Sequence, residues 1–169
     1  MPEPPPTASP AVEALSLNAA VTHLLEECRM ILPGLQALLG FQLIVVFQPA
    51  FSERLTQGEQ RLHLASLTLL AIAMALVMTP AAYHRQTRPQ QTSRHFLFLG
   101  GRLLMMGLVP LMIGIAFDVY LIAHLILGGV ASSVALAGML LAIFAGLWFL
   151  LPRWHRLSGG AGPFKGGPP

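Results

Sequence analysis

Charged residues are scarce in this sequence. They make up 10% of its 169 residues, against roughly 25% in typical soluble domains. Hydrophobic residues make up 54%, so a soluble chain of this size would have too little polar surface to cover itself. We therefore expect the surplus apolar side chains to face lipid, in a single domain. The basic residues flank apolar segments and form no stripe on one folded face, which argues against nucleic acid as a partner.

Cysteine is almost absent. Cys28 is the single one, so the chain has no internal disulfide and no Cys-based metal cluster. The histidines also lack the i, i+4 spacing with carboxylates that is typical of zinc sites. No serine nucleophile elbow, phosphate-binding glycine loop or dinucleotide motif occurs. We therefore predict a protein that is not an enzyme and that has no cofactor and no metal.

Long apolar runs dominate the rest of the chain. A membrane-spanning helix needs about 20 mostly apolar residues to cross a hydrocarbon core of about 30 Å. The runs predict an all-α fold, an integral membrane four-helix bundle with spans at about residues 31–49, 62–83, 97–127 and 130–151. Gly128-Gly129 is the natural turn between the last two spans. Thr56 to Glu59 fits a capping box ahead of the second span.

The ends of the chain differ from the spans. Residues 15–30 predict an N-terminal amphipathic helix that rests on the inner membrane surface or packs on the bundle. Pro33 would then kink the junction or begin the first span. Residues 1–14 and 158–169 are rich in Pro and Gly and are predicted to be disordered tails. The four-helix domain is accordingly placed at residues 31–157. The apolar stripe of the amphipathic helix consists of Leu17, Val21, Leu24, Leu25 and Cys28.

The basic residues predict the orientation. The first connection has two arginines accompanied by two glutamates, and the third has no charge. The positive-inside rule places the second connection and both termini in the cytoplasm, for a multi-pass protein of the inner membrane. The basic residues of the second connection and of the C-terminal segment are Arg85, Arg88, Arg94, Arg102, Arg153, Arg156 and Lys165.

Polar residues inside the apolar runs are the candidate intramembrane site: Asp118, His124, Gln36 and Gln42. A carboxylate near the bilayer centre costs at least about 2.5–3.5 kcal/mol, so Asp118 needs a partner or a wet site. If the third helix reaches Leu127, Asp118 lies inside the span as a candidate proton-titrating group or as a partner for a polar group on another helix. If the helix stops earlier, Asp118 caps it at the outer interface. The glutamines are expected either to bond between helices or to bind a substrate.

A second candidate set lies near the cytoplasmic ends of the spans. There, acidic and basic side chains are expected to bridge the first three helices in a polar network. We expect such a network to be structural more often than catalytic. Its members are Glu27, Arg29, His84, Arg85 and Arg102.

Small residues recur at helical spacing on the last two spans. Gly138, Ala142 and Gly146 lie four residues apart, and Gly107 and Gly114 lie seven apart. Such stripes allow two helices to approach closely. We predict a close contact at Gly107 and Gly114. The Gly138–Gly146 stripe fits either a contact inside the bundle or a homodimer face.

Several short motifs resemble a bacterial family of small four-helix membrane proteins known only as a domain of unknown function. Glu27-Cys28-Arg29-Met30, the spaced Gly34, Gln36, Leu38 and Phe41, and Phe47-Gln48-Pro49 with Phe51 are similar to the opening of that family. Thr79 to Arg85 (TPAAYHR) is similar to its second-helix ending, and Arg102 and Asp118-Val119 fall at matching places. Pro33 and Gln42 depart from the pattern. The resemblance spans residues 17–156 and implies an inner-membrane protein without implying a reaction or a ligand.

Three functions remain open at this stage. We expect a non-enzymatic accessory or assembly factor that acts through helix contacts, in the lipid bilayer, with a second copy or another membrane protein as its partner. The alternative is a small oligomeric transporter or proton-conducting channel built around Asp118. The third is a membrane-bound enzyme that uses His84 and cytoplasmic acidic residues.

Overall fold

Helices account for the whole secondary structure of the described residues. The computed structural model describes residues 10–86 and 94–158, and no strand occurs in them. The chain divides into two compact units, residues 1–114 and 115–169. The elements, in chain order, are α1 (Pro10–Val46), α2 (Pro49–Arg54), α3 (Gln57–Gln86), α4 (Arg94–Leu127), α5 (Val130–Ala145), a π-helix (Gly146–Leu150) and α6 (Leu151–Ser158).

Among the residues that the structure describes, four helical stretches are long and apolar enough to cross a membrane. They are Ser16–Val46, Gln57–Gln86, Arg94–Leu127 and Val130–Trp154. Each contains one of the four predicted spans or most of it, and each exceeds the roughly 20 residues that a crossing requires. The predicted all-helical class and the number of apolar helices are therefore confirmed.

The first helix differs from its prediction, because α1 runs through Pro33 without a break. Its buried side chains lie on one face on both sides of that proline. Pro33 removes one backbone donor, yet the helix continues through it, and α1 packs on α3. The predicted boundary at residue 30, between an amphipathic helix and the first span, therefore lies inside one continuous helix. The buried side chains are Val21, Leu24, Cys28, Leu35 and Gln42.

The predicted tails are only partly covered by the structure. Residues 10–14 belong to α1, so the predicted disordered tail at 1–14 is wrong for its last five residues. Ser158 is the last residue of α6. Residues 1–9, 87–93 and 159–169 lie outside the described residues.

Helices α3 and α4 approach each other through glycine. A Cβ atom built on Gly107 would lie 3.2 Å from a methyl group of Val77 and 3.4 Å from the carbonyl oxygen of Ala73. One built on Gly114 would lie 3.3 Å from the carbonyl oxygen of Ser66. The predicted close contact at these two glycines is therefore confirmed. Gly100 adds a third contact that the sequence did not indicate, since its Cβ would collide with the side chain of Leu24.

The second unit begins inside α4 and turns at the predicted glycines. Gly128 has φ +69°, a conformation that favours glycine. Its N–H donates to the carbonyl of His124 (2.9 Å), which closes the end of α4. Ser133, fully buried, donates to the carbonyl of Gly129 (2.7 Å) and ties α5 to the turn.

A π-helix interrupts the fourth span, which the sequence predicted as continuous. The N–H of Leu151 donates to the carbonyl of Gly146, five residues earlier. Pro152 follows directly and lacks the donor that would bond to Trp148, and a proline ring crowds the carbonyl four residues before it. Widening the helix at residues 146–150 relieves this crowding. The rings of Phe144 and Trp148 stack there at 4.8 Å.

Filling the α3–α4 contact should destabilise the first unit. In Gly107→Leu, the new side chain has no room against Val77, and we expect a loss of about 1–3 kcal/mol in the free energy of unfolding. Gly101→Leu is the matched control, because nothing lies within 4 Å of a Cβ at Gly101. Thermal unfolding of the purified variants in detergent measures both. Equal losses in the two variants would contradict the close contact.

Candidate functional site

A buried polar cluster joins three helices in the first unit. Ser66 of α3 is fully buried. Its hydroxyl accepts a hydrogen bond from the side-chain amide of Gln42 of α1 (Nε2 to Oγ, 3.0 Å). The same hydroxyl donates to the carbonyl of Gly114 of α4 (2.9 Å). One hydroxyl thus uses its donor and one of its two acceptor sites to link α1, α3 and α4.

His63 extends the cluster one turn earlier on α3. The residue is 6% exposed, and its Nε2 lies 3.1 Å from the backbone oxygen of Gln42. A carbonyl oxygen only accepts, so the hydrogen bond requires the proton on Nε2. Phe51 of α2 packs edge-on against the imidazole, with ring centroids 5.3 Å apart. His63 therefore holds both α1 and α2 against α3.

The predicted capping box fixes where α3 begins. The backbone N–H of Thr56 donates to Oε2 of Glu59 (2.8 Å), and the N–H of Glu59 donates to the Thr56 hydroxyl (3.4 Å). The Thr56 hydroxyl also donates to the same carboxylate oxygen (2.7 Å). These reciprocal bonds satisfy backbone donors that a helix start otherwise leaves open. The register of His63 and Ser66 follows from this start.

The predicted intramembrane site has members in both units. Gln42 is buried in the cluster just described, whereas Gln36 is exposed on α1. The structure does not bring Gln36 to Gln42, because six residues turn a helix by about 240° beyond a full turn. Gln36 therefore takes no part in the cluster.

Asp118 and His124 lie in the second unit. Helix α4 ends at Leu127, so Asp118 lies about 13 Å from its end by helical rise. Because the helix reaches Leu127, the first of the two alternatives applies, in which Asp118 lies inside the predicted span. Asp118 is half-buried, and His124 stacks on Tyr120 with parallel rings 5.9 Å apart. Tyr120 and His124 therefore share one face of α4.

The predicted cytoplasmic network takes a different form. Within residues 10–86 and 94–158, none of its five members forms an ion pair. His84 instead contacts the ring of Phe96 (5.6 Å), and the guanidinium of Arg102 lies over the ring of Phe98 (5.6 Å). Exposed charges gain little from pairing, since screening and side-chain entropy offset the attraction. The exposed members are Glu27, Arg29, Arg85 and Arg102.

The Gly138, Ala142 and Gly146 stripe faces outward within the second unit. Gly138 and Ala142 are exposed and Gly146 is half-buried. In the described part of that unit, no atom lies within 4 Å of a Cβ built on either glycine. The buried face of α5 is formed by Ser133 and Ala137 instead. The stripe therefore has no contact of the kind seen at Gly107 and Gly114.

Sequence reasoning missed His63 and Ser66 as members of a site. A signal was present, because both lie on the stripe that α3 buries, at spacings of three, four and seven residues. A histidine and a serine inside an otherwise apolar stripe indicate a polar contact with another helix. Among the described residues, no group of three His, Cys, Asp or Glu side chains lies together as metal ligands would. The stripe consists of His63, Ser66, Leu70, Ala73, Val77 and Pro80.

Comparison with known protein families identifies a match over most of the chain. A family model described as "Family of unknown function (DUF6328)" matches residues 13–152. No curated protein matches the chain, and no solved structure does.

Removing the Ser66 hydroxyl should weaken the cluster. Ser66→Ala leaves the buried Gln42 amide and the Gly114 carbonyl without this partner, and we expect a loss of about 1–2 kcal/mol in unfolding free energy. Thr68→Val is the matched control, since the Thr68 hydroxyl is exposed and bonds only the Leu64 carbonyl of its own helix. Unfolding in mixed micelles measures both variants. A Ser66 variant as stable as the control would show that the bridge contributes nothing.

Proposed function

The chain belongs to this family of unknown function, and we propose that it is a multi-pass protein of the bacterial inner membrane that acts without catalysis, as an accessory or assembly factor. Its action is by helix–helix contact with a second copy or with another membrane protein. The support for membrane placement is the exposed apolar surface of the four long helices. It includes Phe41, Ile72, Met106 and Met139.

Charge supports the orientation that we propose. Arg85, Arg94 and Arg102 lie at the ends of α3 and α4 that the second connection joins, and Arg153 lies at the end of the fourth apolar stretch. Under the positive-inside rule these ends face the cytoplasm. Both termini then lie on the same side. The turn at Gly128 and the α1–α3 connection face the opposite side.

The Gly138–Gly146 stripe is the observation that carries the proposal. Small residues on a spanning helix allow the backbone of another helix to approach closely. On α4, Gly107 and Gly114 have such a neighbour, whereas Gly138 of α5 and Gly146 of the π-helix have none among the described residues of their own unit. An open contact face of this kind suits a partner helix. A second copy of the chain and another membrane protein are both suitable partners.

A transporter or proton-conducting channel is the second candidate. It is favoured by one observation, the continuation of α4 for nine residues beyond Asp118. A carboxylate at that depth is costly unless it serves a pathway or a polar partner. His124 and Tyr120, stacked on the same face, supply further polar groups toward the end of the helix.

Enlarging the open stripe should break assembly. We expect Gly138→Leu combined with Gly146→Leu to weaken association at least tenfold, a change of about 1.4 kcal/mol, because the bulky side chains prevent close approach. The paired Gly138→Ala and Gly146→Ala variant keeps the stripe small and should associate like the natural protein. Purification in native lipid particles, with mass spectrometry of every component, measures the assembly. Unchanged assembly in the leucine variant would overturn the proposal.

The second candidate has its own test at Asp118. In sealed vesicles that contain the protein, proton flux through a pathway at Asp118 should fall at least about tenfold in Asp118→Asn, which keeps the shape of the side chain and removes its titration. Asp118→Glu keeps a carboxylate and should retain more of the flux than the asparagine variant. Equal flux in the natural protein and Asp118→Asn would eliminate this candidate.

A further inference from the structure

A cavity of about 460 Å³ opens between the end of α1, the short α2 and the first three turns of α3. This volume is within the range of about 300–1,000 Å³ that small-molecule sites occupy. The lining residues run from Val46 to Leu67, so the cavity belongs wholly to the first unit. It includes His63 of the polar cluster but none of the residues of the proposed assembly face.

Defined contacts hold the walls of the cavity. Phe51 of α2 forms one wall and is fixed by its edge-on contact with His63. The side-chain amide of Gln60 donates to the carbonyl of Leu55 (2.9 Å), just before α3. The capping box at Thr56 fixes the first turn of α3 beneath them. The positions of α2 and of the first turn of α3 around the cavity are therefore fixed by these contacts.

The polarity of the α3 wall changes along the helix. Gln57, Gln60 and Arg61 line its first part, and Leu64 and Leu67 line its second part. From residue 57 to residue 67 the helix rises about 15 Å. An occupant that fits this wall has a polar group at one end and an apolar chain at the other.

The charge of the lining favours an anion. Arg61 lines the cavity and is exposed, and no aspartate or glutamate lines it. Within the described residues Arg61 forms no ion pair. The nearby carboxylate of Glu59 accepts hydrogen bonds from the backbone and hydroxyl of Thr56, so it is held at the helix start. An arginine is well suited to a phosphate group, which its planar donors can bind in pairs.

We propose that this cavity binds one anionic phospholipid, with the headgroup phosphate on Arg61 and an acyl chain along Leu64 and Leu67. The inference rests on the proposed membrane placement, under which α3 begins at a membrane surface. There the polar part of the wall meets the headgroups and the apolar part meets the hydrocarbon. The rest of the lipid stays in the bilayer.

Lipid binding to the full-length protein tests the proposal. The protein in neutral detergent is titrated with phosphatidylglycerol or with phosphatidylcholine of the same acyl chains, and bound lipid is counted by native mass spectrometry. We expect the first phosphatidylglycerol to bind about tenfold more tightly than phosphatidylcholine, and Arg61→Gln to abolish most of that difference. Arg54→Gln is the matched control, because Arg54 is an exposed arginine of α2 that does not line the cavity.

A second pair of variants tests the apolar part of the wall. Leu64→Trp should fill the cavity and lower the affinity for both lipids several-fold. Ile72→Trp, on an exposed position two turns further along α3, should leave both affinities unchanged. The thermal midpoint of each variant confirms that it is folded. Losses of equal size in Arg61→Gln and Arg54→Gln, or in the two tryptophan variants, would overturn the site.

Three further readouts show which of the proposals fails. Inorganic phosphate that displaces the lipid at equal concentration would identify free phosphate as the ligand and overturn the lipid proposal. The same mass spectra report the number of protein copies. Loss of lipid without loss of association contradicts only the site, whereas extraction of the protein from membranes by alkaline carbonate contradicts the membrane placement itself.

Discussion

The close approach of α3 and α4 is the constraint on which the first unit depends. Under the proposed membrane placement, helices gain little by burying apolar side chains against each other, so dispersion contacts and interhelical hydrogen bonds must hold them together. Glycine at positions 107 and 114 brings the α3 backbone within van der Waals reach of α4. At that distance the Ser66 hydroxyl reaches the Gly114 carbonyl. The same hydroxyl then accepts from Gln42, so α1 joins the contact that the glycines created.

Gln42 bonds between helices, which is one of the two roles that the sequence left open for it. Its side-chain amide donates to Ser66, and its backbone oxygen accepts from His63. A buried amide is costly unless it is hydrogen-bonded, and here it connects helices. His63 in turn positions Phe51, which forms a wall of the cavity. Through His63, the polar cluster therefore forms part of the cavity wall and positions Phe51 in it.

The sequence predicted the features that depend on local chemistry. Long apolar runs predicted four helices, the Thr56–Glu59 pair predicted a helix start, and Gly128 predicted a turn. The sequence did not predict that α1 is continuous. The local cost of Pro33 was considered, but not the stripe of buried side chains that continues on both sides of it. The π-helix was missed because it depends on how the helix accommodates Pro152. His63 and Ser66 were missed because their partners are 21 to 48 residues away.

The charged residues around the start of α3 bear on the charge of the cavity beside the helix cap. The formal charges of residues 53–61 are Glu53 and Arg54 before α3 and Glu59 and Arg61 in its first turns, and they sum to zero. The cap engages the Glu59 carboxylate with Thr56 at the helix start. Neither Glu53 nor Arg54 lines the cavity, so Arg61 supplies its one formal charge. Residues 53–61, which are neutral in sum, thereby present one positive charge to the cavity, because neither of their two acids lines it.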